Sequence, residues 1–156
     1  MTESTIDHAQ VRIHPPVLTL LHVIAAFLLN WLLPFPKVMP VWVSWFGILL
    51  VVAGLALAFT AINQFRKKHT TVSPHGSVSM VVRDGPYRFT RNPIYLGFFC
   101  TLIGFPLALG TYWGIVLSPV FILSMSALVI QHEETYLEDK FRDVYTSYKS
   151  RVRRWL

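Results

Sequence analysis

Four apolar runs and one long polar segment divide the chain. The apolar runs cover residues 17–33, 41–62, 94–109 and 112–131, and the second run contains no charged side chain. A helix that crosses a bilayer needs about 17–25 predominantly apolar residues. The pattern therefore predicts an all-α, multi-pass membrane protein with about four transmembrane helices.

The polar segments predict three further elements. Residues 1–16 are polar and end in two prolines, which is typical of an N-terminal tether, and residues 63–93 form a loop too long for a simple connector. In residues 132–154, apolar side chains recur at steps of three and four, which indicates an amphipathic C-terminal helix. We interpret the 156 residues as a single domain.

Composition agrees with a membrane protein. Hydrophobic residues make up 53% of the chain and charged residues 14%, and the mean hydropathy is +0.47. The net charge is +6, but the basic residues flank apolar runs instead of covering a soluble scaffold. The expected partners of these charges are therefore membrane lipids, and nucleic acid is excluded.

The same charges predict the orientation. Twelve of the fourteen lysines and arginines lie either in the loop and its end, 63–94, or in the tail, 140–154. Cytoplasmic segments carry an excess of lysine and arginine. With four spans, the N-terminus, the loop and the C-terminus would all be cytoplasmic.

A basic stretch joins the long loop to the third apolar run. Arg83, Arg88 and Arg91 lead to Asn92-Pro93, a helix start in which asparagine is able to cap free amides and proline takes the first helical position. A helix N-terminus beside an arginine is suited to bind an anion. The alternative is that these arginines only bind acidic head groups, and the residues alone leave both interpretations open.

Two acidic residues follow the fourth apolar run. Glu133 would lie on the same helix face as Leu137 and Phe141, at the membrane boundary. An ionisable group at that position is a functional candidate, because its desolvation is costly unless it is paired. The alternative is that Glu133 and Glu134 form structural ion pairs with the loop arginines.

Other kinds of chemistry lack their sequence signatures. His69 and His75 have no accompanying ligands of zinc-site spacing, so no metal site is predicted. No glycine-rich nucleotide loop is present. Cys100 lies in an apolar run and is interpreted as a packing residue.

The second half of the chain resembles the family of integral membrane methyltransferases that includes isoprenylcysteine carboxyl methyltransferase and the phospholipid N-methyltransferases. That family has the pattern LVxxGPYxxxRHPxYxG, followed about forty residues later by EExxL and FxxxYxxY. The matching residues here are Val81, Val82, Gly85, Pro86, Tyr87, Arg91, Asn92, Pro93, Tyr95, Gly97, Glu133, Glu134, Leu137, Phe141, Tyr145 and Tyr148.

The resemblance implies an enzyme that uses S-adenosylmethionine, bound on the cytoplasmic side, to methylate a lipophilic acceptor such as an isoprenylcysteine-type carboxylate or a lipid. Arg91 and Glu133 are the residues it implies for catalysis, and Glu133 with Glu134 would hold the polar end of the donor. The remaining donor-binding residues that it implies are Val81, Val82, Tyr87, Arg91, Asn92, Pro93, Ile94 and Tyr95.

The chain departs from the family pattern at two positions, where Asn92 and Ser79 replace histidines. These changes bear on the acceptor more than on the donor. Two alternatives remain open: a sterol-reductase-like enzyme with a nicotinamide cofactor, and a non-enzymatic membrane adaptor.

Overall fold

Five α-helices make up most of the described residues. The computed structural model describes residues 7–35, 39–72 and 76–156, and no strand occurs within them, so the all-α prediction is confirmed. The helices are α1 Pro15–Leu32, α2 Val41–Lys67, α3 Pro93–Ala108, α4 Trp113–Met125 and α5 Gln131–Lys149. A 3-10 turn, Gly85–Arg88, precedes α3, and a π-helical turn, Ser126–Ile130, joins α4 to α5.

In the part of the chain that the structure describes, three helices are long and apolar enough to cross a membrane. They are Pro15–Leu32, Val41–Lys67 and the continuous helix Trp113–Phe141, which includes α4, the π-helical turn and the first half of α5. The third apolar run forms α3, whose 16 residues give a helix of roughly 24 Å. This is shorter than the roughly 30 Å of a bilayer's hydrocarbon core, and the protein is a multi-pass membrane protein with three long apolar helices and one short one.

Prolines set three of the helix boundaries. Pro15 and Pro93 lie in the first turns of α1 and α3, and Pro40 immediately precedes α2. The predicted helix start at Pro93 is confirmed, but Asn92 does not cap the helix with its side chain. The side-chain amide nitrogen of Asn92 instead donates a hydrogen bond to the main-chain oxygen of Arg154, 2.9 Å away.

Glycines allow α2 and α3 to pack backbone against backbone. A Cβ atom on Gly54 would lie 2.7 Å from the carbonyl oxygen of Gly97, and one on Gly104 would lie 2.6 Å from that of Gly47. The two glycines of each helix are seven residues apart, about two helical turns, so the close approach repeats along the interface. Small residues drive packing of this kind between membrane helices, and α3 in turn packs against α1 and α4.

Both ends of the chain differ from their predicted forms. Residues 1–6 of the predicted tether lie outside the described residues, but Ala9 and Val11 are buried in the hydrophobic core. The C-terminal helix, predicted to run to residue 154, ends at Lys149. The residues beyond it return to the start of α3, because their main-chain oxygens bind polar groups there.

Replacing Gly54 with leucine should separate α2 from α3, because no Cβ fits against the backbone of Gly97. We expect the free energy of unfolding to fall by about 1–3 kcal/mol, as for other overpacked interiors. The measurement is unfolding by sodium dodecyl sulfate of protein in bicelles, followed by circular dichroism. Val52→Leu is the control, because Val52 on the same helix is exposed; equal losses in the two variants would contradict the close-packing argument.

Candidate functional site

A pocket lies where α2 ends and where α3 and α5 begin. Its walls come from Ala9, from Phe65 of α2, from the loop around Val78 to Val82, and from the first turns of α3 and α5. Nine of the ten predicted donor-binding residues line it: Val81, Val82, Tyr87, Arg91, Asn92, Ile94, Tyr95, Glu133 and Glu134. Pro93 does not line it and is fully buried in the fold.

Glu133 lines the pocket and is held by one hydrogen bond. The Tyr95 hydroxyl donates to its Oε1 at 2.5 Å, and the Tyr95 ring is itself buried. Among the described residues, no lysine, arginine or histidine forms an ion pair with this carboxylate. Glu133 is therefore oriented by Tyr95 but has no cationic partner within residues 7–35, 39–72 and 76–156.

Glu134, in contrast, is engaged by two arginines. Its Oε1 lies 2.9 Å from Nη2 of Arg91, and its Oε2 lies 2.6 Å from Nη2 of Arg154, whose Nε also donates to Oε1. The Glu134 and Arg91 side chains are only 6% and 8% exposed. These contacts use most of the hydrogen-bonding capacity of the carboxylate and form the structural ion pair that the sequence left as an alternative for this residue.

Arg91 has one donor nitrogen, Nε, without a partner among the described residues. Its Nη1 donates to the main-chain oxygen of Lys149 at 3.1 Å, and its Nη2 contacts Glu134. Its Nε is buried and has no hydrogen-bond partner in the described part of the chain. A buried donor without a partner costs about 1–3 kcal/mol, so a polar atom of a ligand in the pocket would remove that cost.

The C-terminal segment closes one side of this arrangement. The main-chain amide of Arg91 donates to the oxygen of Arg153 at 2.9 Å, and the Thr90 hydroxyl donates to the oxygen of Arg154 at 3.1 Å. Trp155 packs against the hydrophobic core. The tail thus fixes the segment that carries Arg91 and Asn92.

Three tyrosines form the aromatic side of the pocket. Tyr87, Tyr145 and Tyr148 are all buried, and the Tyr148 hydroxyl donates to the main-chain oxygen of Tyr87 at 2.7 Å. Burial raises the pKa of Tyr148 to about 12 and the pKa values of Tyr87 and Tyr145 further. The three phenols therefore stay neutral at physiological pH.

The N-terminal segment is tied to the rim of the pocket. Asp7 accepts hydrogen bonds from Ser77, from the Tyr136 hydroxyl at 3.0 Å and from the Lys140 ammonium at 2.5 Å. These bonds, and the positive charge of Lys140, lower the pKa of Asp7 to about 2. The network joins three parts of the chain: the N-terminal segment, the loop and α5.

Several residues of the site were not predicted as site residues. Tyr145 and Tyr148 had a signal, because both belong to the apolar pattern of the C-terminal helix and to the family pattern. Ala9, Tyr136 and Arg154 had no such signal. The roles of Ala9 and Tyr136 depend on distant chain segments, and that of Arg154 depends on the return of the tail. His75, which was considered and set aside as a ligand, lies outside the described residues.

The helices and the pocket define a class: a multi-pass membrane protein with a partly polar pocket at one end of its helices. The family model for phospholipid methyltransferase matches residues 42–144, more than half of the chain. The protein belongs to this family, which confirms the resemblance found in the sequence. No solved structure matches the chain with significance.

The names of two similar proteins are also those of methyltransferases. The chain is 28% identical over 108 residues to a protein-S-isoprenylcysteine O-methyltransferase of Schizosaccharomyces pombe and 32% identical over 110 residues to one of Saccharomyces cerevisiae, which cover 62% and 68% of this chain. It spans about half the length of these relatives, 46% and 45%. An uncharacterized protein of Haemophilus influenzae is 43% identical over 66 residues, 40% of this chain and the whole of the relative.

Replacing Glu134 with glutamine should destabilise the fold. The change leaves two guanidinium groups without their buried carboxylate, and removal of one partner of a buried ion pair typically costs about 3–5 kcal/mol. The measurement is thermal unfolding in detergent, followed by circular dichroism.

Glu138→Gln is the matched control for this prediction. Glu138 pairs with Lys149, but both side chains are more than a third exposed, and surface pairs contribute about 0–1 kcal/mol. A loss in Glu134→Gln no larger than the loss in Glu138→Gln would show that the two arginines do not depend on Glu134.

Proposed function

We propose that the protein is a membrane methyltransferase that binds S-adenosylmethionine in the pocket between the loop, α3 and α5. The observation that carries the proposal is the Glu133 carboxylate, which Tyr95 orients in a pocket with several aromatic residues and which has no cationic partner among the described residues. A carboxylate in such surroundings suits a cationic ligand. Membership of the phospholipid methyltransferase family supports a methyl donor as that ligand.

The charged, polar and aromatic side chains of the pocket suit the chemical groups of this donor. Glu133 would accept hydrogen bonds from its ammonium group or its ribose hydroxyls, and the rings of Tyr87 and Tyr145 would face its sulfonium and adenosine parts. Arg91, whose Nε lacks a partner among the described residues, would donate to its carboxylate. Val81 and Val82 would complete the apolar wall.

The donor supplies an electrophilic methyl group, and its transfer removes a positive charge. Such an in-line displacement depends on alignment and on the exclusion of water more than on acid or base chemistry. Two observations support this: buried Tyr95 donates a hydrogen bond that orients Glu133, and apolar and aromatic side chains form much of the lining. Arg91, proposed as a catalytic residue with Glu133, would act by fixing the donor.

The acceptor is proposed to be lipophilic, either an isoprenylcysteine-type carboxylate or a lipid. Two relatives are named protein-S-isoprenylcysteine O-methyltransferase, and three apolar helices place the chain in a membrane. The excess of basic residues in the loop and tail supports a cytoplasmic position for the pocket.

The first test is calorimetry on detergent-purified protein with S-adenosylmethionine and with S-adenosylhomocysteine, using reduced nicotinamide cofactor as the control ligand. We expect micromolar binding of both sulfur compounds and none of the nicotinamide cofactor. Binding of the nicotinamide cofactor alone would contradict the proposal and favour the reductase alternative.

Tyr95→Phe and Glu133→Gln test the site itself. Tyr95→Phe removes the hydroxyl that donates to the carboxylate, and Glu133→Gln removes the negative charge; hydrogen bonds that involve a charged group contribute about 1.5–3 kcal/mol. We therefore expect the Kd for S-adenosylmethionine to rise about tenfold or more in each variant.

Glu138→Gln again serves as the control, because Glu138 lies on the same helix but outside the pocket. Its Kd should equal that of the parent protein. Unchanged donor affinity in both Tyr95→Phe and Glu133→Gln would refute the assignment of the site.

A further inference from the structure

The N-terminal segment 7–12 crosses one side of the pocket. Buried and exposed residues alternate along it: Ala9 and Val11 are buried, whereas Gln10 and Arg12 are exposed. Such alternation is typical of an extended chain, whose successive side chains point to opposite faces. Ala9 lines the pocket, so the inner face of the segment forms part of the pocket wall.

The two ends of this segment are attached in different ways. At its C-terminal end, Val11 packs in the hydrophobic core, and the main-chain amide of Arg12 donates to the main-chain oxygen of Leu128 at 3.2 Å. At the other end, Asp7 is held by hydrogen bonds to polar side chains, and its own side chain is 55% exposed. One end is therefore anchored in the core, and the other is held at the surface.

The contacts of Asp7 bridge the gap between two walls of the pocket. Its carboxylate accepts hydrogen bonds from Ser77 of the loop and, on α5, from the Tyr136 hydroxyl at 3.0 Å and the Lys140 ammonium at 2.5 Å. The Tyr136 hydroxyl also accepts a hydrogen bond from the main-chain amide of Val78 at 3.3 Å. We call Asp7, Ser77, Tyr136 and Lys140 the latch, because together they join the N-terminal segment, the loop and α5.

The latch opens at a lower cost than the attachment of the C-terminal tail. The tail is held by the ion pair of Arg154 with Glu134, whose side chain is only 6% exposed. The side chains of Asp7 and Lys140 are 55% and 26% exposed. Exposed ion pairs are weak and are screened by salt, whereas breaking a buried pair leaves an uncompensated charge.

We propose that residues 7–12 form a strap that closes the pocket and that opening of the latch controls the exchange of its ligand. The proposal rests on the proposed function only for the identity of that ligand. Asp7, Ser77 and Lys140 do not line the pocket, so weakening the latch changes the free and the ligand-bound protein alike. The rates of association and dissociation then rise together, and the Kd stays nearly constant.

The first experiment measures opening of the strap without any ligand. Ala9→Cys, in a Cys100→Ala background that removes the described free thiol, reports opening through its rate of reaction with a bulky maleimide in detergent. Asp7→Lys replaces the ion pair with two like charges and should raise this rate about fivefold. Adding Lys140→Asp restores an opposite-charge pair and should return the rate to near its starting value.

The double variant also controls for an effect of the new lysine on the thiol itself, because it keeps that lysine. Asp143→Lys makes the same change of charge at an exposed position on α5 outside the latch and should leave the labelling rate unchanged. A labelling rate that Asp7→Lys does not alter, or that Lys140→Asp does not restore, would overturn the strap.

The second experiment follows the binding kinetics of S-adenosylhomocysteine by surface plasmon resonance on detergent-purified protein with Ala9 intact. We expect Asp7→Lys to raise both rate constants by about the same factor and to leave the Kd within about twofold, with recovery in the double variant. A rise in the dissociation rate alone would overturn control of exchange by the latch. If the parent protein bound no S-adenosylhomocysteine, the proposed function would fail, whereas the labelling rates would still decide whether the strap opens at the latch.

Discussion

The buried carboxylate of Glu134 is the interaction on which the candidate site depends. Glu134 lies on α5 and forms ion pairs with Arg91, from the loop that precedes α3, and with Arg154, from the C-terminal tail. The loop before α3, α5 and the tail that follows α5 therefore meet at one side chain. Desolvation of these charges is costly, and the arrangement offsets that cost only when all three segments are in place.

This constraint depends in turn on the packing of the apolar helices. Arg91 can reach Glu134 only because α3 begins two residues later at Pro93, and α3 is held against α2 by contacts that leave no room for a Cβ atom on Gly54 or Gly97. In a membrane, the association of helices relies on packing more than on the hydrophobic effect. The glycine interface therefore contributes to the position of the polar site without lining it.

The sequence predicted the helices from local pattern and about half of the pocket lining from the family resemblance. Apolar runs bounded by prolines define α1, α2 and α3, and the family pattern pointed to nine residues that line the pocket. The π-helical turn at Ser126–Ile130 and the left-handed backbone of Arg142 (φ 42°) could not be predicted. A π-helical turn inserts an extra residue into the helical repeat, which rotates the following residues by about 100°. The contact of the tail with Asn92 could not be predicted either, because its acceptor is a main-chain oxygen, which every residue has.

The two neighbouring acids illustrate how similar residues can have different roles. The charge of Glu134 is compensated by Arg91 and Arg154, whereas Glu133 meets only the neutral hydroxyl of Tyr95 among the described residues. A cation close to Glu133 would favour its ionised form, since an opposite charge stabilises a carboxylate. On the proposed function, the donor carries a positive sulfur before methyl transfer and a neutral sulfur after it. The donor keeps its ammonium group and ribose hydroxyls after methyl transfer, so the contacts proposed for Glu133 would be the same in the donor and product complexes. The loss of positive charge would instead weaken the interaction of the sulfur with the rings of Tyr87 and Tyr145.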